Sequence, residues 1–227
     1  MTKKTFLLLF TWLTAVTLYA QQDKSPKYST YYYQRASLFE SLPVTSEDII
    51  FIGNSITDGG EWHELFNNPH VKNRGISGDT TQGVFDRLDA IVNGQPAKIF
   101  LMIGINNVPQ NEPADTIAAG IRLIVQKIKQ VSPETQIYVQ SLLPVTTYYN
   151  KFYEHTCHWK EIPEINQKIK TVKKNKCNTS ICSHTSSMPK DRCKNNTPTM
   201  DSICWAKAIC YGKKSSPPIY NRNKLTL

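Results

Sequence analysis

One short stretch limits the folds open to this chain more than any other. Residues 48–52, Asp-Ile-Ile-Phe-Ile, have the length and β-branched content of a strand buried in a parallel sheet. The run ends in Gly53-Asn54-Ser55, so a serine follows the strand directly. Open α/β sheets bind their ligands at the carboxyl ends of the strands. The stretch therefore predicts a parallel α/β sheet with Ser55 at its ligand-binding edge.

Two later blocks repeat this arrangement of a strand followed by a polar turn. Val71 to Thr80 places Gly75 after a second strand, and a glycine suits a point where a backbone N–H must approach a ligand closely. Residues 98–107 form a hydrophobic run that ends in Gly104-Ile105-Asn106-Asn107. Three neighbouring strands would bring these turns to one edge of the sheet.

The segments between and after these blocks have helical spacing of their apolar residues. The predicted helices cover a lead-in within 21–47 and the segments 61–66, 79–92, 114–131 and 161–173, and a fourth strand covers 136–144. Four β–α units joined by short connections predict a three-layer α/β/α sandwich.

Together the three blocks resemble the Ser-Gly-Asn-His, or GDSL-type, hydrolase family, in which residue 107 is usually aspartate. The resemblance implies a flavodoxin-like parallel sheet and no metal or organic cofactor. It also implies that Ser55 attacks an acyl carbonyl, while the N–H groups of Ser55 and Gly75 and the side-chain amide of Asn106 hold the oxyanion. Exported members of this kind commonly remove acetyl or other short acyl groups from carbohydrates, so the expected partner is a small-molecule or carbohydrate ester.

The amino terminus has the pattern of a secretory signal. Lys3 and Lys4 precede an apolar stretch from Phe6 to Tyr19, and Ala20 supplies a small residue at a cleavage point. The stretch is too short and too rich in threonine to favour a membrane anchor. We expect residues 1–20 to be removed, leaving a periplasmic or secreted protein without stable membrane insertion.

Composition changes abruptly after about residue 172. The segment 173–227 holds 11 of the 27 Lys and Arg residues but only Asp191 and Asp201 among the 18 acidic ones, so it carries the whole net charge of +9. Five of the six cysteines also lie there. The family's last block, Asp-x-x-His after a fifth strand, is missing, and His184 is the one histidine of the segment.

A shifted reading frame accounts for this change. With suitable codons, the frame that joins the last base of each codon to the first two bases of the next encodes Tyr-Ile-Asp-Leu across residues 178–182 and Asp-Gly-Leu-His within 197–211. The predicted domain is therefore 21–172, truncated, followed by an aberrant, disordered basic tail at 173–227, with the fifth strand and last helix lost. On this interpretation the positive charge indicates no nucleic-acid partner.

Three functions remain open from the sequence. The first is an ester hydrolase, impaired in this chain because the triad Asp and His are absent. The second is a non-catalytic descendant with residual binding of esters or carbohydrates. The third reads Gly53 to Gly60 as a phosphate loop, but the Gly-x-Gly-x-x-Gly spacing is absent. His63 favours a packed or solvated place on a helix over the role of a base. His155 and His158 on a loop could line the pocket or bind a metal, but such a pair is usually incidental. If the chain as written hydrolyses esters at ordinary rates, His184 or a histidine of the body would have to be tested as the base.

Overall fold

The structure is a computed structural model that describes residues 26–145 and 152–174 and the backbone of 179–182. The chain divides into two compact units, Met1–Thr30 and Tyr31–Leu227. The first is described only at residues 26–30, so the predicted signal peptide lies outside the described residues. All elements below, apart from the first residue of helix α1, belong to the second unit.

Five strands form one parallel sheet in the order β2-β1-β3-β4-β5. The strands are β1 (Ile49–Gly53), β2 (Val71–Gly75), β3 (Lys98–Met102), β4 (Gln136–Gln140) and β5 (Thr179–Cys182).

The helices connect these strands or precede them. They are α1 (Thr30–Ser41), α2 (Ser55–Asp58), α3 (Trp62–Phe66), α4 (Thr81–Asp86), α5 (Asp89–Val92), α6 (Ala114–Val131), α7 (Tyr153–Thr156) and α8 (Ile162–Lys170), with 3-10 turns at Val108–Gln110 and Thr171–Lys174. The predicted α/β class is confirmed.

The two faces of the sheet bury different side chains because successive residues of a strand point to opposite faces. Ile50 and Ile52 of β1 join a large aliphatic cluster with Ile99 and Leu101 of β3 and with α6 and α8. On the other face, Phe51 packs in an aromatic cluster, and its ring stacks on those of Trp62 and Phe100 at 4.4 and 4.8 Å between centroids. The central strands β1 and β3 therefore carry apolar side chains on both faces, as a parallel sheet covered on both faces requires.

The helix predicted over 79–92 is two short helices, α4 and α5. The interruption falls at Arg87 and Leu88. Arg87 is the C-cap of α4, and its guanidinium is buried against the Asp79 carboxylate at 2.8 Å. Leu88, by contrast, is fully buried in the aliphatic cluster. The local sequence contains no proline or glycine at this point, so the periodic pattern alone predicted one continuous helix.

The expected loss of the fifth strand is wrong. Thr179–Cys182 pairs in parallel with β4, from Ile137↔Thr179 to Gln140↔Cys182. A four-residue segment is too short to show an apolar period, but Thr and Ile are good strand formers, and pairing satisfies the backbone groups along the edge of β4. The remaining predictions for 183–227, including the disordered tail and the lost helix, fall outside the described residues.

Candidate active site

Ser55 begins the short helix α2 directly after β1. The Asn54 side chain caps this helix, since its Oδ1 accepts the Ile56 N–H at 3.0 Å. The backbone N–H of Asp58 donates to the Asn54 carbonyl at 2.8 Å and closes the turn. Asn54 is buried, whereas Ser55 is exposed. The strand end thus presents a serine to solvent on a turn that its neighbours hold rigid.

Asn73 of β2 ties this turn to the neighbouring strand. Its Nδ2 lies within hydrogen-bond distance of three backbone carbonyls, those of Thr57 at 2.9 Å, Asp58 at 2.9 Å and Gly60 at 3.0 Å. Its Oδ1 accepts the Gly75 N–H at 2.8 Å. Asn73 was not predicted as a site residue, because no local pattern marks a strand residue whose partners lie about 15 residues earlier.

Gly75 occupies the point where the two turns meet. A Cβ at this residue would lie 2.3 Å from the Asp58 backbone nitrogen and 2.7 Å from the Thr57 carbonyl carbon. A side chain therefore does not fit, although for a different reason from the predicted one. The Gly75 N–H was expected to donate to the oxyanion. In the structure it donates to Asn73 Oδ1 instead.

Gly78 is a second glycine in the same loop. Of these two glycines, the sequence pattern predicted only Gly75 as an oxyanion donor. The Asp79 N–H donates to the Ile76 carbonyl at 3.1 Å, which puts Gly78 at the third position of a tight turn. Its φ of +82° is one that glycine adopts without strain. Gly78 is exposed, and its N–H makes no hydrogen bond within the described ranges. This N–H is a further candidate oxyanion donor.

The Asp58 carboxylate joins α2 to two other segments. Its Oδ2 accepts hydrogen bonds from the Tyr31 hydroxyl at 2.8 Å and from Ser77, through the backbone N–H at 3.1 Å and the hydroxyl at 2.7 Å. Arg35 lies 3.7 Å from Oδ1. The hydrogen bond to Asp58 raises the pKa of the Tyr31 hydroxyl. Tyr31 of α1 therefore has a structural partner at the rim of the Ser55 turn.

Asn106 follows β3 and is oriented by two contacts. Its Nδ2 donates to the Asp79 carbonyl at 2.8 Å, and its Oδ1 lies 3.0 Å from His155 Nε2. An amide NH2 group has two hydrogens, and the second has no acceptor among the residues that the structure describes. Asn106 is half-buried, so this remaining donor is compatible with the predicted oxyanion contact.

Asn107, which stands where the family usually has aspartate, is a buried bridge. Its Oδ1 accepts the Thr81 N–H at 3.2 Å, while its Nδ2 donates to the Thr81 hydroxyl at 3.1 Å and to Glu112 at 3.0 Å. An aspartate could accept from Thr81 but could not donate to Glu112. Asparagine at position 107, in place of the family's aspartate, therefore supplies the N–H donor that the Glu112 carboxylate accepts.

A buried ion pair between Arg87 and Asp79 connects the turn that follows β2 to the end of β1. Arg87 Nε and Nη2 both lie 2.8 Å from Asp79 Oδ2, and Nη2 also donates to the Gly53 carbonyl at 3.4 Å. Burial raises the pKa of the Asp79 carboxyl, and the Arg87 guanidinium opposes that shift. Asp79, whose carbonyl orients Asn106, is in this way also linked to the end of β1.

The strand order brings the predicted residues to one edge. Gly53 pairs with Gly75 of β2 on one side and with Met102 of β3 on the other. Ser55, Gly75 and Asn106 therefore lie at or just beyond the carboxyl ends of three neighbouring strands. Their catalytic roles remain predictions. A pocket of about 480 Å³ lies beside α2 and α3, lined by Ile56, Gly59, Gly60, Glu61, Trp62, Glu64 and Leu65.

Comparison with known proteins identifies the family. The sequence profile of the GDSL-like lipase/acylhydrolase family matches residues 51–186, more than half of the chain. The chain belongs to this family. The match confirms the family predicted from the three blocks, and it extends through β5.

Among relatives of this GDSL-like chain is the platelet-activating factor acetylhydrolase IB subunit alpha2 of Homo sapiens. It is 38% identical over 103 residues, which cover 43% of this chain and 44% of that protein. The match thus spans less than half of the relative's length.

Solved structures share the fold at low identity. A GDSL-like lipase from Bacteroides thetaiotaomicron superposes with a TM-score of 0.59 at 20% identity, over 79% of this chain and 96% of that one. An acetylxylan esterase from Geobacillus stearothermophilus gives a TM-score of 0.51 at 19% identity, over 69% and 84%. Within the described ranges, no helix of the GDSL-like chain has the length and apolar character needed to cross a bilayer.

Proposed function

We propose that this chain is an exported ester hydrolase in which Ser55 attacks short acyl esters, chiefly acetyl esters. The observation that carries the proposal is the exposed Ser55 on a capped turn at the carboxyl edge of the sheet, beside the turns of Gly75 and Asn106. A serine nucleophile needs such an accessible position together with N–H donors for the developing oxyanion.

The proposed reaction follows acyl transfer through a serine. Ser55 Oγ attacks the acyl carbonyl, and the resulting oxyanion accepts hydrogen bonds from the Ser55 N–H, the Asn106 amide and the N–H of Gly78, since the Gly75 N–H already donates to Asn73. Collapse of this intermediate breaks the ester bond and releases the alcohol, which takes up the proton that the Ser55 hydroxyl gave up. Water then attacks the Ser55 acyl ester, its OH leaves with the acyl group as the carboxylic acid, and its other hydrogen restores the Ser55 hydroxyl.

Two observations support acetyl esters of small molecules or carbohydrates as the substrate class. The relative with 38% identity is by name an acetylhydrolase. The signal-like residues 1–20 support a location outside the cytoplasm, where family members commonly deacylate carbohydrates. Export itself is part of the proposal and rests on that segment of sequence.

The proposal includes impaired turnover of the chain as written. Residues 173–227 contain no Asp-x-x-His, so the usual base and its orienting carboxylate are missing from the sequence. The same observation favours a second candidate function, a non-catalytic homologue that binds esters or carbohydrates. The two differ in whether Ser55 turns over substrate once an Asp-x-x-His block is restored.

The test is hydrolysis of p-nitrophenyl acetate by the chain as written and by a chain whose tail is restored to the alternative frame. We expect ordinary turnover from the restored chain and a low rate from the other. Ser55→Ala should reduce turnover by the restored chain on the order of 10⁴-fold to 10⁶-fold. The control is Ser41→Ala, which changes an exposed serine at the end of α1 and should keep the parent rate.

Undiminished turnover by Ser55→Ala would overturn the nucleophile assignment. A restored chain that binds acetyl esters without hydrolysing them would support the non-catalytic homologue instead.

A further inference from the structure

His155 makes a contact at the candidate site that the sequence did not predict. Its Nε2 lies 3.0 Å from Oδ1 of Asn106, although the two residues are 49 positions apart. Both side chains are half-buried. Helix α7 holds His155 in place, since its N–H donates to the Phe152 carbonyl at 2.9 Å and the next residue, Thr156, is buried. The contact therefore joins a defined helix to the predicted oxyanion donor.

The Asp79 carbonyl determines which way the Asn106 amide faces. A carbonyl oxygen can only accept, so the atom 2.8 Å from it has to be the Asn106 nitrogen. The other atom, Oδ1, then faces His155 and can only accept as well. His155 must consequently donate through an Nε2–H, which leaves the lone pair of a neutral ring on Nδ1.

Neither ring nitrogen of His155 is open to receive a proton from a serine. Nε2 carries the hydrogen that it donates to Asn106. Nδ1 is buried and has no hydrogen-bond partner within the described residues. Burial lowers the pKa of the His155 imidazole, and the nearby Glu154 carboxylate opposes this shift. The contact with Asn106 is thus a donation that the neutral ring makes.

We propose that His155 is a positioning residue: its Nε2–H holds Oδ1 of Asn106 so that the free amide hydrogen points at the oxyanion, and it is not the base for Ser55. This inference rests on the proposed function, because it assigns a purpose to the Asn106 amide in ester hydrolysis. Two fixed contacts, to Asp79 and His155, leave the amide no rotational freedom. A preorganised donor of this kind needs no rearrangement when charge develops on the substrate.

The first test measures the ring directly and does not depend on activity. In the full-length, ¹⁵N-labelled chain, long-range ¹H–¹⁵N NMR spectra identify the tautomer of each histidine. We expect His155 to be neutral with its hydrogen on Nε2, and we expect Asn106→Ala to alter its Nε2 signal. A hydrogen on Nδ1 would overturn the inference whether or not the protein hydrolyses esters.

The second test compares two replacements of His155 in p-nitrophenyl acetate hydrolysis. His155→Phe keeps a ring but removes the donor, so turnover should fall by about 10-fold to 10²-fold, the usual cost of a misplaced catalytic group, with KM little changed. His155→Gln keeps an N–H donor and should recover most of the rate. The matched control is His158→Phe in the same segment, whose ring faces Glu161 at 2.7 Å and whose loss should leave the rate unchanged.

A double variant completes the test. If His155 acts through Asn106, adding His155→Phe to Asn106→Ala should slow turnover no further. Equal losses in the Phe and Gln variants, with an additive double variant, would show a merely structural role. A loss as large as that of Ser55→Ala, with disappearance of the acidic limb of the pH profile, would make His155 the base. Each result overturns the positioning role, whereas failure of the Ser55→Ala test alone would count against the proposed function.

Discussion

The turn after β1 and the turn after β3 both carry a predicted catalytic residue, but they are held in different ways. The Ser55 turn is fixed at its backbone, which the side chains of Asn54 and Asn73 hold and which Gly75 approaches closely. The Asn106 turn is fixed by side chains, through contacts to Asp79 and His155. The nucleophile thus depends on two strands lying side by side, whereas the amide donor depends on three segments meeting at one point.

This difference predicts how each turn responds to substitution. Changes at the Ser55 turn move the backbone, so stability and activity should fall together. Changes at the Asn106 turn remove a side-chain contact and leave the backbone in place, so activity or local charge should change with less effect on the fold.

After the loss of the nucleophile itself, the largest expected effect is that of Asn106→Ala on turnover. Loss of one oxyanion donor costs about 10²-fold to 10³-fold in kcat. Because Asn106 is half-buried and alanine keeps its backbone carbonyl, which accepts from Gln110, the urea unfolding midpoint should stay near that of the parent. The measurement is steady-state hydrolysis of p-nitrophenyl acetate by the restored chain. A change confined to KM would mean that Asn106 binds the ground state and does not act on the transition state.

Gly75→Ala should lower the free energy of unfolding by about 1–3 kcal/mol, the usual cost of overpacking. The new Cβ would lie 2.3 Å from the Asp58 backbone nitrogen, which cannot rotate away. Turnover should fall together with the stability, because the backbone that the new Cβ displaces belongs to the turn that carries Ser55. Urea unfolding at constant m-value measures the change.

The control for that prediction is Gly59→Ala, a change at the other end of α2. A Cβ there meets the Ser55 carbonyl at 3.4 Å, which is an ordinary contact, so the stability should change by less than about 0.5 kcal/mol. Equal stability of the two alanine variants would contradict the close-packed Ser55 turn.

The smallest expected effect is that of Asn107→Asp, which introduces the residue that the family usually has. The new carboxylate would face Glu112, where Nδ2 now donates at 3.0 Å. We expect a loss of about 1 kcal/mol at neutral pH, because residue 107 is buried but solvent reaches the half-buried Glu112 carboxylate and screens the repulsion. Repulsion raises the pKa of the pair, so the lost stability should return as the pH falls through that raised pKa.

A double variant with Glu112→Gln checks the cause of this loss. It should remove the penalty and most of its pH dependence. If the loss of stability persists without the Glu112 charge, charge repulsion is not its cause. The Asn106 turn would then require the N–H donor of the Asn107 amide itself.

The predicted elements agree best where the pattern is long and periodic. Helix α6 runs from Ala114 to Val131 as predicted, because its buried isoleucines recur at helical spacing. The single helix predicted over 79–92 was wrong because the buried Arg87–Asp79 pair is a tertiary contact. The prediction that the fifth strand is lost was wrong because pairing with β4, and not an apolar period, defines the strand Thr179–Cys182.

The sequence by itself determined the strands that end at the site and the positions of Ser55 and Asn106 on their turns, because a buried run and the polar residues after it are adjacent in the chain. Only the tertiary structure decided that Asn73 engages the Gly75 N–H and that His155 reaches Asn106. Those hydrogen bonds depend on the order in which strands pair and on how a distant helix packs over their ends. No local pattern of residues encodes that order, since it follows from burying both faces of the sheet at once.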